Sequence, residues 1–283
     1  MDRPEFLVVG HICRDVVPEG YRLGGTATYA AVTAQRLDLR PGIVTRAAPE
    51  TLQADLLRGV AVHLLPSAVT TTFENLYRDG RRTQRIHAVA GPIGPEDVPP
   101  EWRVVPIVLL APLAQEVHPD LARCFPGALL GVAPQGWLRE WDGTGHVRRA
   151  AWASAEEVLP HVRAVVVSEE DVGGDVALVE RWAALAECLV LTQGARGATL
   201  HWRGKARSMP PREAREVDPT GAGDVFAAAF LIRLWETGDP VDAARFANAV
   251  ASFSVEAPGP AGIPWRHQVD AWLAAHPDWG WPF

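Results

Sequence analysis

The sequence has little of what marks several protein classes. Its three cysteines, Cys13, Cys124 and Cys188, are odd in number and far apart in 283 residues. They make no disulfide framework, and a reduced, cytoplasmic setting with three small core cysteines is expected. No apolar run reaches the length of a membrane span. Met1-Asp2-Arg3-Pro4-Glu5 lacks the basic-then-apolar plan of a secretory signal. The nine histidines show no metal-ligand spacing and pair with no cysteine, so a structural zinc site is not expected. A net charge of -7 argues against nucleic acid as a partner. No Gly-x-Gly-x-x-Gly follows the first apolar strand, so a dinucleotide-binding dehydrogenase fails on placement. There is no internal repeat and no low-complexity linker.

What is present is a 48% hydrophobic chain, enough for a sizeable core. Its length fits one large domain, or one with a small appendage. Residues 6–12, 41–47, 61–65, 104–110, 129–133, 164–167 and 189–194 read as strands. Helices are expected over 26–37, 52–58 and 176–187, and from Asp239-Pro240, an N-cap with proline in the first turn, to about 255. Alternation of this kind implies an α/β fold with a mostly parallel sheet covered on both faces. Residues 70–78 and 81–90 break the pattern as two strands joined by the turn signal Asp79-Gly80.

The organising stretch is Val217-Asp218-Pro219-Thr220-Gly221-Ala222-Gly223-Asp224, followed at once by the apolar run 225–232. It reads as a glycine-bearing turn feeding a helix N-terminus. The first amides of a helix have no intrahelical partner, and that end carries partial positive charge. Gly221 and Gly223 let an anion approach the backbone. A carboxylate inside such a cradle would repel a static phosphate. Asp224 is intelligible there as a base that accepts a hydroxyl proton while the amides of 221–224 stabilise a phosphoryl group in transit. The competing reading is a first-turn acid favoured by the helix dipole.

Asp-Pro-Thr-Gly-Ala-Gly-Asp (218–224) resembles the C-terminal signature of the ribokinase family, the PfkB carbohydrate kinases. Gly24-Gly25 before the helix at 26, with Asp15 upstream, resembles the same family's N-terminal signature, so the likeness spans nearly the whole chain. The resemblance implies a ribokinase-like three-layer sandwich with a small β lid, built here from about 13–24 and 70–90. It implies a kinase moving the γ-phosphoryl group of ATP to a hydroxyl, with Asp224 as base and Gly221, Ala222, Gly223 and Asp224 as the anion hole. It places Asp15, Gly24, Gly25 and Thr26 at the acceptor. Thr192, Gly194, Arg196 and Gly197, on the turn after 189–194, fall on the nucleotide side. Asn248 falls there too, in a small-residue stretch, 247–252, that suits either an adenine ring or helix packing. Gln115, Glu116, Gln135 and Arg139 stand at strand ends bordering the site. The family usually carries Asn-x-x-Glu where this chain has Ser168-Glu169-Glu170-Asp171. Glu170 and Asp171 are therefore the expected Mg²⁺ holders, with a helix-capping role as the rival. The resemblance also implies a monovalent cation such as K⁺ near the 218 loop.

The acceptor is read from details. The string Gly-His-Ile-Cys-Arg-Asp-Val-Val (10–17) and the short path to Gly24 look closest to plant myo-inositol kinases and their bacterial relatives, which favours inositol or a related polyol. A nucleoside is the alternative, with Tyr29 or Phe73 to stack on a base. A non-catalytic sugar or nucleotide sensor is the other alternative, since the Asn-x-x-Glu site is altered. Exposed lid strands would permit a homodimer.

Overall fold

The computed structural model describes residues 3–53, 55–78 and 81–281. The turn expected at Asp79-Gly80 lies outside them. In chain order, β1 (Phe6–Val9), β2 (Cys13–Val17) and β3 (Gly20–Gly24) lead into α1 (Thr26–Arg36), β4 (Pro41–Ala47) and β5 (Ala61–Pro66). Then come β6 (Thr71–Arg78), β7 (Arg81–Ala88), β8 (Ile107–Leu110), β9 (Leu129–Val132), β10 (Arg139–Trp141) and β11 (Val147–Arg149). The second half carries α2 (Ala155–Val158), β12 (Ala164–Ser168), α3 (Glu169–Val172), α4 (Val176–Ala183), β13 (Cys188–Thr192), β14 (Ala198–Trp202) and β15 (Lys205–Met209). It closes with α5 (Ala222–Thr237), α6 (Pro240–Ser254) and α7 (Arg266–Ala275).

The main sheet runs β15-β14-β13-β12-β9-β8-β1-β4-β5. It is parallel from β13 to β5, and β14 and β15 are antiparallel additions at one edge. Its central strands are continuous apolar runs because both faces are covered. Phe6 and Val8 point into the layer with α1, α5 and α6, while Leu7 and Val9 point into the opposite layer with Trp137, Trp152 and Trp182. This is the α/β three-layer sandwich that the sequence implies.

α5 is the spine of the first layer. Residues 225–232 are all fully buried or nearly so, which explains a helix apolar on every side. Ala227, Ala228 and Ala229 let α1 and α6 approach closely. On the sheet side Gly131 of β9 makes room for Leu231: a Cβ there would lie 2.5 Å from its side chain.

A four-stranded sheet, β3-β2-β6-β7, stands apart from the main one. Its inner face packs Cys13, Phe73 and Ile86 on Leu113 and Ala114. Asp15 lies within β2, in the stretch expected to build the lid. Several expectations need correction. The helix expected over 52–58 is a pair of short 3₁₀ turns, Pro49–Gln53 and Asp55–Leu57. The strand expected from 104 starts at Ile107, after Pro106, and the helix from 176 ends at Ala183. The edge strand β15, the β10–β11 hairpin and α7 are additions.

The tight seat of Leu231 yields a test of the packing. Gly131→Ala should destabilise by about 1–3 kcal/mol, the usual range for overpacking, measured by chemical denaturation at unchanged m-value.

Candidate active site

The site forms where the N-terminus of α5, the start of α1, the small sheet and the carboxyl ends of the central strands meet, the usual ligand crevice of an open α/β sheet. Gly221 is the N-cap of α5 with a left-handed backbone, φ 80°. A Cβ there would also lie 2.3 Å from the Tyr29 ring. The turn is therefore fixed by two independent demands, a positive φ and an aromatic ring against the backbone. Gly223 differs, because nothing lies within 4 Å of the Cβ it lacks. Its open side is the space an anion would use. The Ala222 amide donates back to the Pro219 carbonyl at 3.2 Å. This corrects the four-amide cradle and narrows it toward Gly223 and Asp224.

Asp224 is half-buried in the first turn of α5. Burial raises its carboxyl from 3.8 to about 6, against the Thr26 hydroxyl and the Arg139 charge, which lower it, while the Asp171 and Asp15 charges add to the rise. A carboxylate poised there keeps enough basicity to take a proton near neutral pH. Thr26 is 1% exposed at the start of α1, and its hydroxyl is near enough to Asp224 to hold that carboxyl down, so little of it is open to an acceptor.

Asp15, in β2, is close enough for its charge to raise Asp224, and it lies against Gly24, whose missing Cβ would sit 2.2 Å from Asp15 Oδ2. Gly25, φ 90°, begins α1, and its Cβ would press within 3.0 Å of the His11 carbonyl. The glycine pair therefore lets a carboxylate and two chain segments converge at one point. Cys13 donates its thiol to Asp15 at 3.8 Å. Burial, then the Asp15 and Asp224 charges, push that thiol well above its ordinary range, so it stays protonated.

Behind this cluster is a buried hub. Glu116, 3% exposed, accepts from the amides of His11 (2.8 Å), Leu113 (2.9 Å) and Ala114 (2.7 Å). The His11 ring donates from Nε2 to the Gly91 carbonyl at 2.9 Å, and in the neutral ring Nδ1 accepts from the Thr71 hydroxyl at 2.8 Å. Glu116, expected near the acceptor, is a joint between β1, the loop after β8 and the roots of β6 and β7. Gln115, in a left-handed conformation, donates to the Arg139 carbonyl.

On the other side, Ser168 caps α3 and forms a capping box with Asp171: its hydroxyl accepts from the Asp171 amide at 3.0 Å and donates to Asp171 Oδ2 at 2.6 Å. Gln135 donates to Asp171 Oδ1 at 3.3 Å. The capping role thus holds for Asp171, whose charge also reaches Asp224. Among the described residues no group of three or more His, Cys, Asp or Glu could enclose a metal ion. Both oxygens of Asp171 already have protein partners, so a magnesium ion would be held here only through intervening waters, as that ion often is.

The expected donor side is mixed. Arg196 pairs with Glu169, linking the turn after β13 to the acidic loop. Gly194 has open space beside it, whereas Gly197 is pressed against the Met209 carbonyl, 2.2 Å from its missing Cβ. Thr192 donates to the Val167 carbonyl at 3.5 Å. Asn248 is 4% exposed and donates to the Met209 carbonyl at 2.9 Å. Its amide anchors the chain leaving β15, and Ala247, Ala249 and Val250 are buried in helix packing. Of the two readings of 247–252, residues 247–250 follow helix packing, while Ala251 and Ser252 stay half-buried. Tyr29 and Phe73 are each 2% exposed, Tyr29 on Gly221 and Phe73 under the Arg139 guanidinium at 5.7 Å. Neither is open to stack on a nucleoside base.

The 218 loop does not fit a bound monovalent cation. Asp218 Oδ1 accepts from the Thr220 amide at 3.0 Å, and Oδ2 from the Gly259 amide at 2.9 Å and from Arg22 Nη1 at 3.3 Å. A guanidinium already stands on the carboxylate such an ion would need. Two residues are thus weightier than sequence reasoning made them. Arg139 shows the signal of a strand-end arginine after a Pro-Gln-Gly turn. Arg22 lies two positions before Gly24 in β3, hence on the same side of the strand.

Comparison with known proteins gives the family and the fold. The model of the pfkB family carbohydrate kinases matches residues 137–266. An inositol 3-kinase of Zea mays is 30% identical, over 93% of this chain and 74% of the maize protein. A pyrophosphate-dependent kinase of the ribokinase family, solved with a pyrophosphate analog and myo-inositol, superposes at a TM-score of 0.79 with 23% identity, over 94% of this chain and 99% of that one. Arabidopsis thaliana ribokinase, solved with ribose and ATP, gives a TM-score of 0.72 with 21% identity, over 96% and 99%. The chain belongs to the pfkB family of carbohydrate kinases and has the ribokinase fold. It is a phosphotransferase that acts on an alcohol group of a sugar or polyol.

The two glycines of the cradle should separate in experiment. Gly221→Ala meets both the positive φ and the Tyr29 ring, and should lower stability by about 2–4 kcal/mol in denaturant titrations. Gly223→Ala should fold with near wild-type stability yet lose at least tenfold in kcat, because its methyl enters the anion space. The base gives a linkage prediction. A carboxyl raised from 3.8 to about 6 costs the folded state stability as pH climbs through that window, and the cost is constant above it. Asp224→Asn should therefore melt above wild type at neutral pH, with the difference vanishing below the lower end of the window.

Proposed function

We propose that this enzyme transfers the γ-phosphoryl group of ATP to a hydroxyl of myo-inositol or a closely related polyol, with Asp224 as the catalytic base. The observation that carries this reading is that two carboxylates, Asp15 against Gly24 and Asp224 in the first turn of α5, lie near enough for the charge of one to raise the other. Asp15 binds two neighbouring acceptor hydroxyls, a geometry suited to a polyol ring. A third hydroxyl points at Asp224 and gives it its proton. The hydroxyl oxygen then attacks the phosphoryl group, and the bond to the donor's leaving phosphate breaks. The amides of Gly223 and Asp224 and the Arg139 charge stabilise the equatorial oxygens in transit, so positioning and charge supply most of the acceleration. Glu170 and Asp171 are the residues that would hold a magnesium ion, which would supply charge neutralisation at the donor phosphates. The small sheet carries Asp15 and serves as the lid. The polyol reading is supported by the maize relative and by the burial of Tyr29 and Phe73, which removes the aromatic partners a nucleoside would use. The intact base weighs against a non-catalytic sensor.

Inorganic pyrophosphate as donor is a second reading. It is favoured by the commitment of Asn248 and the buried face at 247–250 to the fold, which leaves phosphate-binding parts better defined than base-binding ones.

A turnover screen with Mg-ATP and Mg-pyrophosphate against polyols, sugars and nucleosides decides among these. Phosphorylation of myo-inositol with ATP is expected. Asp224→Asn should lose roughly 10²–10⁴ in kcat, and unchanged turnover in that variant would remove Asp224 from the mechanism. Because the working form is the carboxylate, kcat/KM of the wild type should rise with pH through about 6 and level off above it.

A further inference from the structure

The loop that resembles a family cation site has a guanidinium on its carboxylate. We infer that the Arg22 guanidinium is this enzyme's built-in substitute for the monovalent cation, so that its phosphoryl cradle works without K⁺. The inference deepens the kinase reading and rests on it for its catalytic arm.

Three observations converge. First, the oxygens of this loop already have partners. Both oxygens of Asp218 accept hydrogen bonds, from Thr220, Gly259 and Arg22. The Val255 carbonyl beside them accepts from the amides of Val217 (2.7 Å) and Asp218 (3.1 Å). A monovalent ion needs several unshared oxygens, and it would also meet the charge of Arg22. Second, the guanidinium is positioned for its charge. Burial raises the Asp218 carboxyl, but the Thr220 hydroxyl and amide, the Gly259 amide and the Arg22 charge outweigh it and hold the group below its ordinary range. Arg22 Nε is buried with no hydrogen-bond partner, as is the Tyr29 hydroxyl. Both groups flank Gly259: its missing Cβ would lie 3.6 Å from the Tyr29 oxygen and 3.7 Å from Arg22 Nη1. Buried donors left unpaired are costly, and here they cluster beside the anion cradle. Third, Arg22 has a permanent charge and a rigid fork, properties that lysine lacks.

This substitution has a consequence that an ion would not. Arg22 is part of β3, two residues before Gly24, so the charge reaches the 218 loop only when β3 is docked. Asp218 begins the turn that ends at Gly221, and Tyr29, just past the glycine pair, packs on Gly221. Arg22 is thus a positioning residue that ties the strand of the acceptor glycines to the loop of the phosphoryl cradle. A cation-dependent enzyme would set this loop by ion occupancy; this one sets it by a side chain of β3.

The test uses the full-length enzyme at constant ionic strength in KCl, NaCl and tetramethylammonium chloride, read by melting temperature and by steady-state kinetics. Wild type should show the same melting temperature in all three salts, and a kcat that varies less than about twofold. Arg22→Gln should lose at least tenfold in kcat and raise the acceptor KM. It should also gain a response to K⁺ that tetramethylammonium does not give, a higher melting temperature with partial return of turnover. Arg22→Lys, which keeps a charge, should remain indifferent to the salt and recover part of the loss. A rise in wild-type melting temperature or a fivefold activation specific to K⁺ overturns the inference, as does an Arg22→Gln variant with wild-type turnover. If no acceptor is phosphorylated in any salt, the kinase reading fails. The melting data still decide the cation question, because a K⁺-specific shift in the wild type sinks the inference and its absence, with a K⁺-specific shift in Arg22→Gln, upholds it.

Discussion

Holding the negative charge of Asp224 beside a place built for a second negative group is the constraint on which the rest of this structure depends. The N-terminus of α5 supplies the compensating field through its unpaired amides. That supply depends on the left-handed turn at Gly221, which only a residue without a Cβ can make against the Tyr29 ring. Thr26 then fixes the carboxylate from the start of α1, and Arg139 adds positive charge from the hairpin after β9. Two elements far apart in sequence are thereby brought to one base. The buried length of α5 keeps its first turn in place, because residues 225–232 are enclosed by the sheet, α1 and α6.

The acceptor side is held by a different kind of interaction. Glu116 is a buried carboxylate, and such a group is tolerated only when its oxygens are satisfied. It meets that condition with backbone amides from two segments, so the loop after β8 cannot shift without uncovering a charge. His11 extends the joint to Thr71 and Gly91, the two ends of the β6–β7 excursion. The small sheet is therefore hinged on hydrogen bonds at its root and packed only lightly beneath, on Leu113 and Ala114. Arg22 reaches from its other edge to the 218 loop. A sheet anchored at both edges around Asp15 brings acceptor and cradle together in a fixed relation.

Much of this was legible along the chain. The alternation of apolar runs with helical stretches determined an α/β fold, since a strand covered on both faces has no polar side to show. The glycine pair and the Asp-Pro-Thr-Gly-Ala-Gly-Asp string were readable because turns and helix starts are written in consecutive residues. So was the Asp239 cap of α6, which accepts from the Val241 amide at 2.8 Å. The short 3₁₀ turns at 49–57 were not distinguishable from a helix, because one turn of either has the same apolar spacing. The edge strand β15 escaped because its partly exposed pattern carries no strong period.

Side-chain partnerships lay beyond the sequence for a physical reason. Which hydrogen bond a residue makes depends on what the fold places within about 3 Å, and the decisive partners here are 22 and 218, 26 and 224, 116 and 11, 209 and 248. Asn248 looked like a donor contact from composition alone, but the exit of β15 claimed its amide. Asp171 looked like a metal ligand from its place in a motif, but Ser168 and Gln135 share its oxygens. The sequence by itself determined the layers and the cradle loop and put Asp224 forward as the candidate base, because those follow from local period and turn chemistry. Only the tertiary structure decided that the base is half-buried with a raised pKa, that the aromatics are closed to a ligand and that an arginine stands at the cation loop. Each of these is set by desolvation and by neighbours remote in the chain.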